Sequence, residues 1–551
     1  MRKVTFLAVV LTVVFLMSIL LVAGCGGGTE NGTGDETQDG RNILRSGYMR
    51  EIESLNPMVI WSVAAYELMN LNYNYLMSWD EDLNVTPELA KSWEVSEDGM
   101  FWTFYLEEGV TWHDGEPFSA EDVKFTFEYI RDNELGYFYD YVAAMEEIVV
   151  VDENTVTIKT DEPIAWMPQI LVPIFPQHIW SEIDPIDAEG DFANDNPIGT
   201  GPFQVIEHRK GEYTRMAVNE NYFKGRPALD EVIFIIYANT DLMIEALRQG
   251  ELDIISGIPG AQFRALQESG DPDIVVLEAD SPSFTELAFN CWEDEDSMGN
   301  PLLLDRNVRI AIEYALDRQE MIDVALMGYG EVGSTLVPPL FEFWHLDLED
   351  DFRAYNPDRA AEVLDQSGYP VGPDGVRVST AGDPLDFTLL IRNESPDNQK
   401  MAALIKDMLE EVNIAITVSV IDEGTLTDRI YDGDFDMFIW GWYVDVDPSS
   451  ILKIATTDEI MSWSDSFYSN PVYDELHLVQ QRTMDRDERR ELILEMQRIF
   501  YEDSPYIMLS YDPELQAYRT DRYEGWVRNP RTGPVIYTNV IDTYEQLRPI
   551  N

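Results

Sequence analysis

The stretch that decides the fold class is residues 385–421, LDFTLLIRNESPDNQKMAALIKDMLEEVNIAITVSVI. It begins with an apolar strand, LDFTLLIR, continues with Pro396 at the start of a helix, and ends with a second strand, IAITVSVI. The helix has its apolar residues on one side, at Met401, Leu404, Ile405, Met408 and Val412. A strand, a helix and a strand at this spacing predict a parallel unit with a right-handed crossover.

A similar unit lies earlier in the chain. The run VIFIIYAN (232–239) predicts a buried strand, Thr240 is positioned to cap the following helix, and the helix stops at Gly250 before a strand at 253–256. Two such units in one chain predict an α/β protein with two lobes. Open sheets of this type bind ligands at the carboxyl ends of their strands, so the cleft between the lobes is the expected site.

The composition bears on the size and on the partners of the protein. With 551 residues, the chain is too long for one core and is expected to form two to four lobes. Its 103 acidic and 37 basic residues give a formal charge of −66, which disfavours nucleic acid as a partner. Because the acidic residues are spread along the chain, they indicate a hydrated surface suited to high salt rather than a set of ligands.

The few cysteines and histidines of the chain indicate neither a disulfide framework nor a metal site. The chain has two cysteines, and Cys291 lies in the apolar stretch FTELAFNC, where a buried thiol behaves as a small hydrophobe. The five histidines form neither an HExxH motif nor an i,i+4 pair. We therefore expect no metal site and no cofactor.

The N terminus has the pattern of a secretory leader. Residues 1–25 begin with Met-Arg-Lys, continue with an apolar run over Val4–Val22, and end in Ala-Gly-Cys. This ending resembles the bacterial lipobox, which implies that the thiol of Cys25 is diacylated and that Cys25 becomes the new N terminus. An uncleaved transmembrane anchor is the alternative, because the run is nearly long enough to span a bilayer. Residues 26–41, rich in Gly, Thr and acid, are expected to be a flexible tether.

Five longer segments carry a family resemblance. They are WTFYLEEGVTWHDGEPFSAEDVKFTFEYI (102–130), NPIGTGPFQVIEHRKGEYTRMAVNENYFKGRPALDEVIF (196–234), RNVRIAIEYALDRQEMIDVALMGYGEVGSTLVPP (306–339), AYNPDRAAEVLDQSGYP (354–370) and WGWYVDVDP (440–448). In content and order they resemble the family 5 extracellular solute-binding proteins, which include receptors for dipeptides, oligopeptides and nickel. The resemblance covers nearly the whole chain after the tether.

The resemblance implies an α/β, two-lobed periplasmic-binding-protein type 2 fold with an extra subdomain in the first lobe. The implied divisions are lobe I at 42–280 with the extra subdomain at about 80–200, lobe II at 281–504, and a return to lobe I at 505–551. The chain would cross between the lobes near 278–284 and near 504–509. The crossing segments follow from the resemblance alone, whereas the two lobes also follow from the two α/β units.

The resemblance also implies a function, namely the extracytoplasmic component of an ABC importer. Such a protein would capture di- or oligopeptides and deliver them to a permease and ATPase complex, as a monomer anchored by lipid at the outer face of the membrane or in the periplasm. Alternatives are a receptor for an oligosaccharide or a metal chelate, a receptor that reports to a sensor or adhesin, and a secreted hydrolase. The hydrolase is disfavoured, because there is no GxSxG or Walker A motif, and the G-x-G-x-x-G at 328–333 follows a helix rather than a strand.

Two charged residues are candidates for holding the ends of a peptide. In peptide-binding members, the motif GW-x-x-D supplies an aspartate for the ligand's α-ammonium, and here the motif ends at Asp445. The alternative for Asp445, and for the nearby Asp447, is a capping role in the loop. Dipeptide-binding members place a carboxylate-clamping arginine where this chain has Arg392, since a guanidinium fits a carboxylate bidentately. The alternative for Arg392 is an ion pair with one of the many acidic residues.

Aromatic residues around the GW-x-x-D motif are candidates for side-chain pockets. Trp440, Trp442 and Tyr443 provide aromatic faces that accept ligands of different shapes. Alternation along the strand means that some of them must face the core instead.

Overall fold

The computed structural model describes most of the chain after the tether, namely residues 40–49, 51–60, 62–80, 83–527 and 541–550. The predicted leader and lipidation site at Cys25 lie outside the described residues, as does nearly all of the predicted tether. Among the helices in these ranges, none combines the length and apolar character needed to cross a bilayer.

Strands and helices alternate along much of the described chain. The strands are β1 (Ile43–Tyr48), β2 (Met77–Trp79), β3 (Val85–Pro87), β4 (Ala90–Val95), β5 (Phe101–Leu106), β6 (Met145–Asp152), β7 (Thr155–Thr160), β8 (Phe203–Arg209), β9 (Tyr213–Val218), β10 (Glu231–Ile236), β11 (Ile254–Ile255), β12 (Ile274–Phe289), β13 (Glu331–Val332), β14 (Asp386–Arg392), β15 (Ala415–Ile421), β16 (Met437–Tyr443), β17 (Tyr506–Arg519), β18 (Tyr523–Glu524) and β19 (Arg548–Pro549). The α-helices are α1 (Val63–Asn72), α2 (Ala120–Asn133), α3 (Tyr139–Val142), α4 (Gln177–Trp180), α5 (Pro185–Ala188), α6 (Thr240–Gln249), α7 (Gly260–Ser269), α8 (Arg306–Ala315), α9 (Arg318–Ala325), α10 (Pro357–Gln366), α11 (Pro396–Glu411), α12 (Glu423–Tyr431), α13 (Ser449–Lys453), α14 (Pro471–Arg482), α15 (Arg486–Asp503) and α16 (Asp542–Gln546).

An 11-stranded sheet organises these elements. Its order is β15-β14-β16-β12-β17-β11-β1-β10-β9-β8, with β13 paired to β17. Both predicted strand–helix–strand units are present: β14 and β15 pair directly in parallel, whereas β1 lies between the parallel strands β10 and β11. The predicted cap of α6 is wrong by one residue. Asn239, not Thr240, has the extended backbone of an N-cap, and its side chain accepts from the backbone N–H of Leu242.

Two long strands connect the two ends of this sheet. β12 and β17 pair in antiparallel fashion along most of their length, while β12 also pairs with β16 and β17 also pairs with β11. Their register shifts between Asp280 and Phe284, within the first predicted crossing segment. The lobe boundaries themselves stay a prediction.

A second, four-stranded antiparallel sheet lies within the predicted extra subdomain. Its order is β4-β5-β7-β6. The helix α2 begins with a capping box between Ser119 and Asp122, as the sequence predicts. Phe104 of β5 and Phe127 and Ile130 of α2 are fully buried in one hydrophobic cluster. Many aromatic residues of this region therefore pack a core, as the sequence predicts.

Candidate functional site

A cavity of about 460 Å³ lies past the carboxyl end of β16. One wall comes from α1, β2 and the segments 137–141 and 166–171. The other wall comes from the end of β16, from α13, and from parts of the 454–481 region. This position agrees with the rule that open α/β sheets bind ligands outside the carboxyl ends of their strands. The volume is within the range of small-molecule sites.

Aromatic side chains are the commonest lining residues of the cavity. They are Tyr66, Tyr75, Trp79, Tyr137, Phe138, Tyr141, Trp166, Trp442, Tyr443 and Trp463. Tyr137, Tyr443 and Trp463 are 42%, 46% and 46% exposed, so these rings keep free surface for a ligand. Of the three aromatic residues predicted from the sequence, Trp442 and Tyr443 line the cavity and Trp440 does not.

Asp445 lies just after β16 and presents its carboxylate to the cavity. Its Oδ2 accepts a hydrogen bond of 2.9 Å from the hydroxyl of Ser450, and the hydroxyls of Tyr137 and Tyr141 are 3.3 and 3.4 Å from the same oxygen. Within the described residues, no ion pair to Asp445 and no hydrogen bond to its Oδ1 is present. One oxygen of the carboxylate is thus held in place, and the other is left open.

The pKa of Asp445 reflects the absence of a cationic partner among the described residues. Burial raises the pKa of Asp445, and the hydrogen bonds from Ser450, Tyr137 and Tyr141 offset only part of that rise. The burial of their hydroxyl groups and the nearby Asp445 also raise the pKa of both tyrosines well above the usual value, so both stay protonated donors. The site therefore favours a positively charged group that would compensate the carboxylate.

Asp447 has a different environment, although it lines the same cavity. Arg489 holds it bidentately, with Nη1 to Oδ2 at 2.6 Å and Nη2 to Oδ1 at 2.7 Å. Gln169 and the backbone N–H of Ser449 also donate to it, at 3.2 and 2.9 Å. Burial alone would raise the pKa of Asp447, but the charge and hydrogen bonds of Arg489, together with Ser449, outweigh burial and lower it. This carboxylate is fully paired within the protein.

Arg392 and Trp440 lie next to each other and outside the cavity lining. The guanidinium of Arg392 stacks over the Trp440 ring, 4.3 Å from its centroid, and its Nη1 donates to Glu423 Oε2 at 3.1 Å. The ion pair with an acidic residue is the alternative that the sequence leaves open for Arg392. The structure therefore brings Asp445, Trp442 and Tyr443 together and groups Arg392 with Trp440 elsewhere.

Sequence reasoning missed several residues that shape the cavity. Tyr137 and Tyr141 are 308 and 304 residues from Asp445 along the chain, so no local pattern connects them to it. Ser450 is the second residue of α13, and Trp463 lies in an irregular segment between α13 and α14. The one available signal is the i,i+4 spacing of the two tyrosines, which places both rings on one side of a helical turn.

Comparison with known proteins identifies the family. Residues 84–462 match the family described as bacterial extracellular solute-binding proteins, family 5 middle. Because the match spans well over half of the chain, this protein belongs to the family 5 bacterial extracellular solute-binding proteins. The predicted family is confirmed.

Individual relatives agree with this assignment. The oligopeptide-binding protein AppA of Bacillus subtilis is 24% identical over 546 residues, which cover 95% of this chain and 96% of that protein. A putative ABC transporter peptide-binding protein of Brucella ovis is 30% identical over 394 residues, covering 68% of this chain and 69% of that protein.

Solved structures confirm the predicted fold class. The structure of AppA from Bacillus subtilis in complex with a nonapeptide has a TM-score of 0.76 at 22% identity, covering 93% of this chain and 100% of that one. The structure of NikZ from Campylobacter jejuni in complex with Ni(L-His) has a TM-score of 0.77 at 24% identity, covering 92% and 99%. The chain thus has the two-lobed type 2 periplasmic-binding fold.

Proposed function

We propose that this protein captures di- or oligopeptides outside the cytoplasm and delivers them to the permease of an ABC importer. The observation that carries the proposal is the carboxylate of Asp445. Three hydroxyls orient one of its oxygens, and the part of the chain that the structure describes supplies neither a hydrogen bond to the other oxygen nor a cation. A peptide α-ammonium would supply both the missing charge and the missing hydrogen-bond donors. The names of the relatives, an oligopeptide-binding and a peptide-binding protein, support a peptide as the ligand.

In this proposal, the peptide backbone begins at Asp445, and its side chains pack on aromatic rings. Trp442 and Tyr443 line the cavity and offer such rings. Arg392 stays a predicted contact for a ligand carboxylate, and Trp440 stays a predicted residue of a side-chain pocket. Since neither lines the cavity, only a ligand that extends beyond it would reach them.

The proposal also includes attachment to the membrane through a diacylated Cys25, and it includes no catalytic step. Mass spectrometry of the protein made in a bacterial host tests the anchor. We expect a lipid-modified Cys25 at the new N terminus, and an unmodified chain would contradict it.

Calorimetry with a dipeptide, its N-acetylated form and a longer peptide tests the ligand. Losing one partner of a desolvated charge pair costs roughly 3–5 kcal/mol, so N-acetylation or Asp445→Asn should weaken binding at least about a hundredfold. Asp140→Asn is the matched control, because Asp140 also lines the cavity but is already paired with Lys453 at 2.8 Å. Arg392→Ala should leave the affinity for the dipeptide unchanged and should weaken only a peptide long enough to extend beyond the cavity, because Arg392 lies outside the cavity lining.

Two outcomes would contradict the proposal. If N-acetylation leaves the affinity unchanged, Asp445 is not an ammonium site, and an oligosaccharide or a metal chelate becomes the better ligand. If Asp140→Asn weakens binding as much as Asp445→Asn does, the effect reflects the general charge of the cavity rather than a contact with Asp445.

A further inference from the structure

Among the described residues, some of the charged side chains that line the cavity have a partner of opposite charge and others do not. They are Glu67, Asp140, Asp445, Asp447 and Lys453. Arg489 neutralises Asp447, and the ammonium of Lys453 is 2.8 Å from Asp140 and 3.1 Å from Glu459. Within the described part of the chain, the lining therefore offers no unpaired cation to the carboxylate of a ligand.

Two carboxyl groups of the lining, by contrast, have no cationic partner among the described residues. The first is Asp445, with its open Oδ1. The second is Glu67 of α1, which is 2% exposed: its Oε2 accepts from the Tyr48 hydroxyl, and its buried Oε1 has no hydrogen-bond partner among the described residues. Burial, together with the nearby Glu514, raises the pKa of Glu67 well above its usual value. A cation close to Glu67 would reverse that shift and stabilise the ionised form.

The aromatic lining adds to this preference for positive charge. The face of an aromatic ring attracts a cation within about 6 Å of its centroid, and tryptophan does so most strongly. Tyr443 and Trp463 both line the cavity with nearly half of their surface exposed. In the described part of the cavity, the aromatic side chains are neutral, two carboxyl groups lack a cationic partner, and the one lysine is already paired. Together these features favour a positively charged ligand.

We propose that the cavity selects its ligand by positive charge: it takes a peptide with a cationic side chain in addition to the α-ammonium, and it does not bind the ligand's carboxylate. This inference rests on the proposed function for the peptide nature of the ligand. It assigns the α-ammonium to Asp445, and it assigns the cationic side chain to Glu67 and the exposed aromatic rings.

Calorimetry at low ionic strength with tripeptides that differ only in charge tests this selection. One series carries lysine at the second or third position, and the matched series carries norleucine, which has a similar shape and no charge. We expect the better lysine peptide to bind about tenfold tighter than its norleucine counterpart. Equal binding, or tighter binding of norleucine, would overturn the selection by charge.

The same peptides with an amidated C terminus test the second half of the inference. Amidation removes the carboxylate and raises the net charge, so the amide should bind at least as tightly as the free acid. If amidation weakens binding about tenfold or more, the cavity does contain a partner for the carboxylate, and the inference fails.

Two variants separate the role of Glu67 from that of the overall charge. Glu67→Gln should reduce the preference for lysine over norleucine, whereas Asp140→Asn should preserve it, because Asp140 is already paired with Lys453. An unchanged preference in Glu67→Gln would remove Glu67 from the proposal. Thermal denaturation of both variants shows whether they are folded.

A pair of small non-peptide ligands distinguishes failure of this inference from failure of the proposed function. Choline is a small cation, and 3,3-dimethylbutan-1-ol is its neutral analogue. If no peptide binds but choline binds tighter than the alcohol, the peptide proposal fails and the selection by charge stands. If peptides bind without a preference for lysine, the peptide proposal stands and the selection by charge fails.

Discussion

Asp445 and Asp447 are two residues apart and line the same cavity, yet their surroundings are opposite. Asp447 is held by the fork of Arg489, and its pKa is lowered. Asp445 is contacted only by hydroxyl groups within the described chain, and its pKa is raised. The difference shows that residue type and position in the chain do not set the role of a carboxylate. What sets the role is whether a cationic side chain of the protein lies next to the carboxylate.

The largest expected effect is on stability, at the paired aspartate. Asp447→Ala leaves Arg489 buried, with Gln480 and Ser449 as its remaining partners. Removing one partner of a buried ion pair costs roughly 3–5 kcal/mol, so the free energy of unfolding should fall by about that amount. Asp445→Ala is the control, and we expect it to change stability by no more than about 1 kcal/mol. Thermal and urea denaturation measure both, and equal losses would break the comparison.

The second prediction concerns the pH dependence of peptide affinity. Because its pKa is raised, Asp445 takes up a proton at a pH at which an ordinary aspartate is still ionised. An ammonium binds the ionised form, so the affinity should decrease as the pH falls, by about tenfold per pH unit below that pKa. Calorimetry from neutral pH down to the range in which an ordinary aspartate is half-protonated measures the slope, and Asp445→Asn should flatten it. A slope that persists in this variant would assign the titration to another group.

The smallest expected effect is that of salt. The net charge of −66 produces repulsion in the compact state, which added ions screen. The melting temperature should therefore rise by roughly 1–3 °C from low to molar potassium chloride. The Asp447–Arg489 pair is buried and is screened less, so the difference in stability between Asp447→Ala and the wild type should persist in salt. A melting temperature that stays constant or falls with salt would contradict this prediction.

The sequence predicts the fold well where local patterns carry the information. The β14–α11–β15 unit appears as predicted, because a strand, a helix and a strand of these lengths favour a parallel crossover unit. The capping box of α2 is equally local. The cap of α6 is missed by one residue, because Asn239 and Thr240 are both good capping residues and only the backbone conformation decides between them.

The candidate site is predicted only in part from the sequence, because a position at a strand end does not determine which side chains enter the cavity. The motif that ends at Asp445 and contains Trp442 and Tyr443 lies at a strand end, and strand ends of open sheets border the cleft. Arg392 also lies at a strand end, but the structure places its side chain on Trp440 and Glu423 instead of in the cavity lining. The sequence thus predicts where the strand ends, but it does not predict the direction of a long side chain at that end.

The sequence by itself determined that this chain is a two-lobed α/β solute-binding protein with a large negative net charge, because periodicity, composition and long motifs are properties of the chain. The tertiary structure decided which of two neighbouring aspartates is open to a ligand. That choice depends on Arg489, Tyr137 and Tyr141, which approach from other elements and meet the loop only when the chain is folded. Electrostatic pairing acts through space over a few ångströms, and a linear sequence does not record which charges come that close.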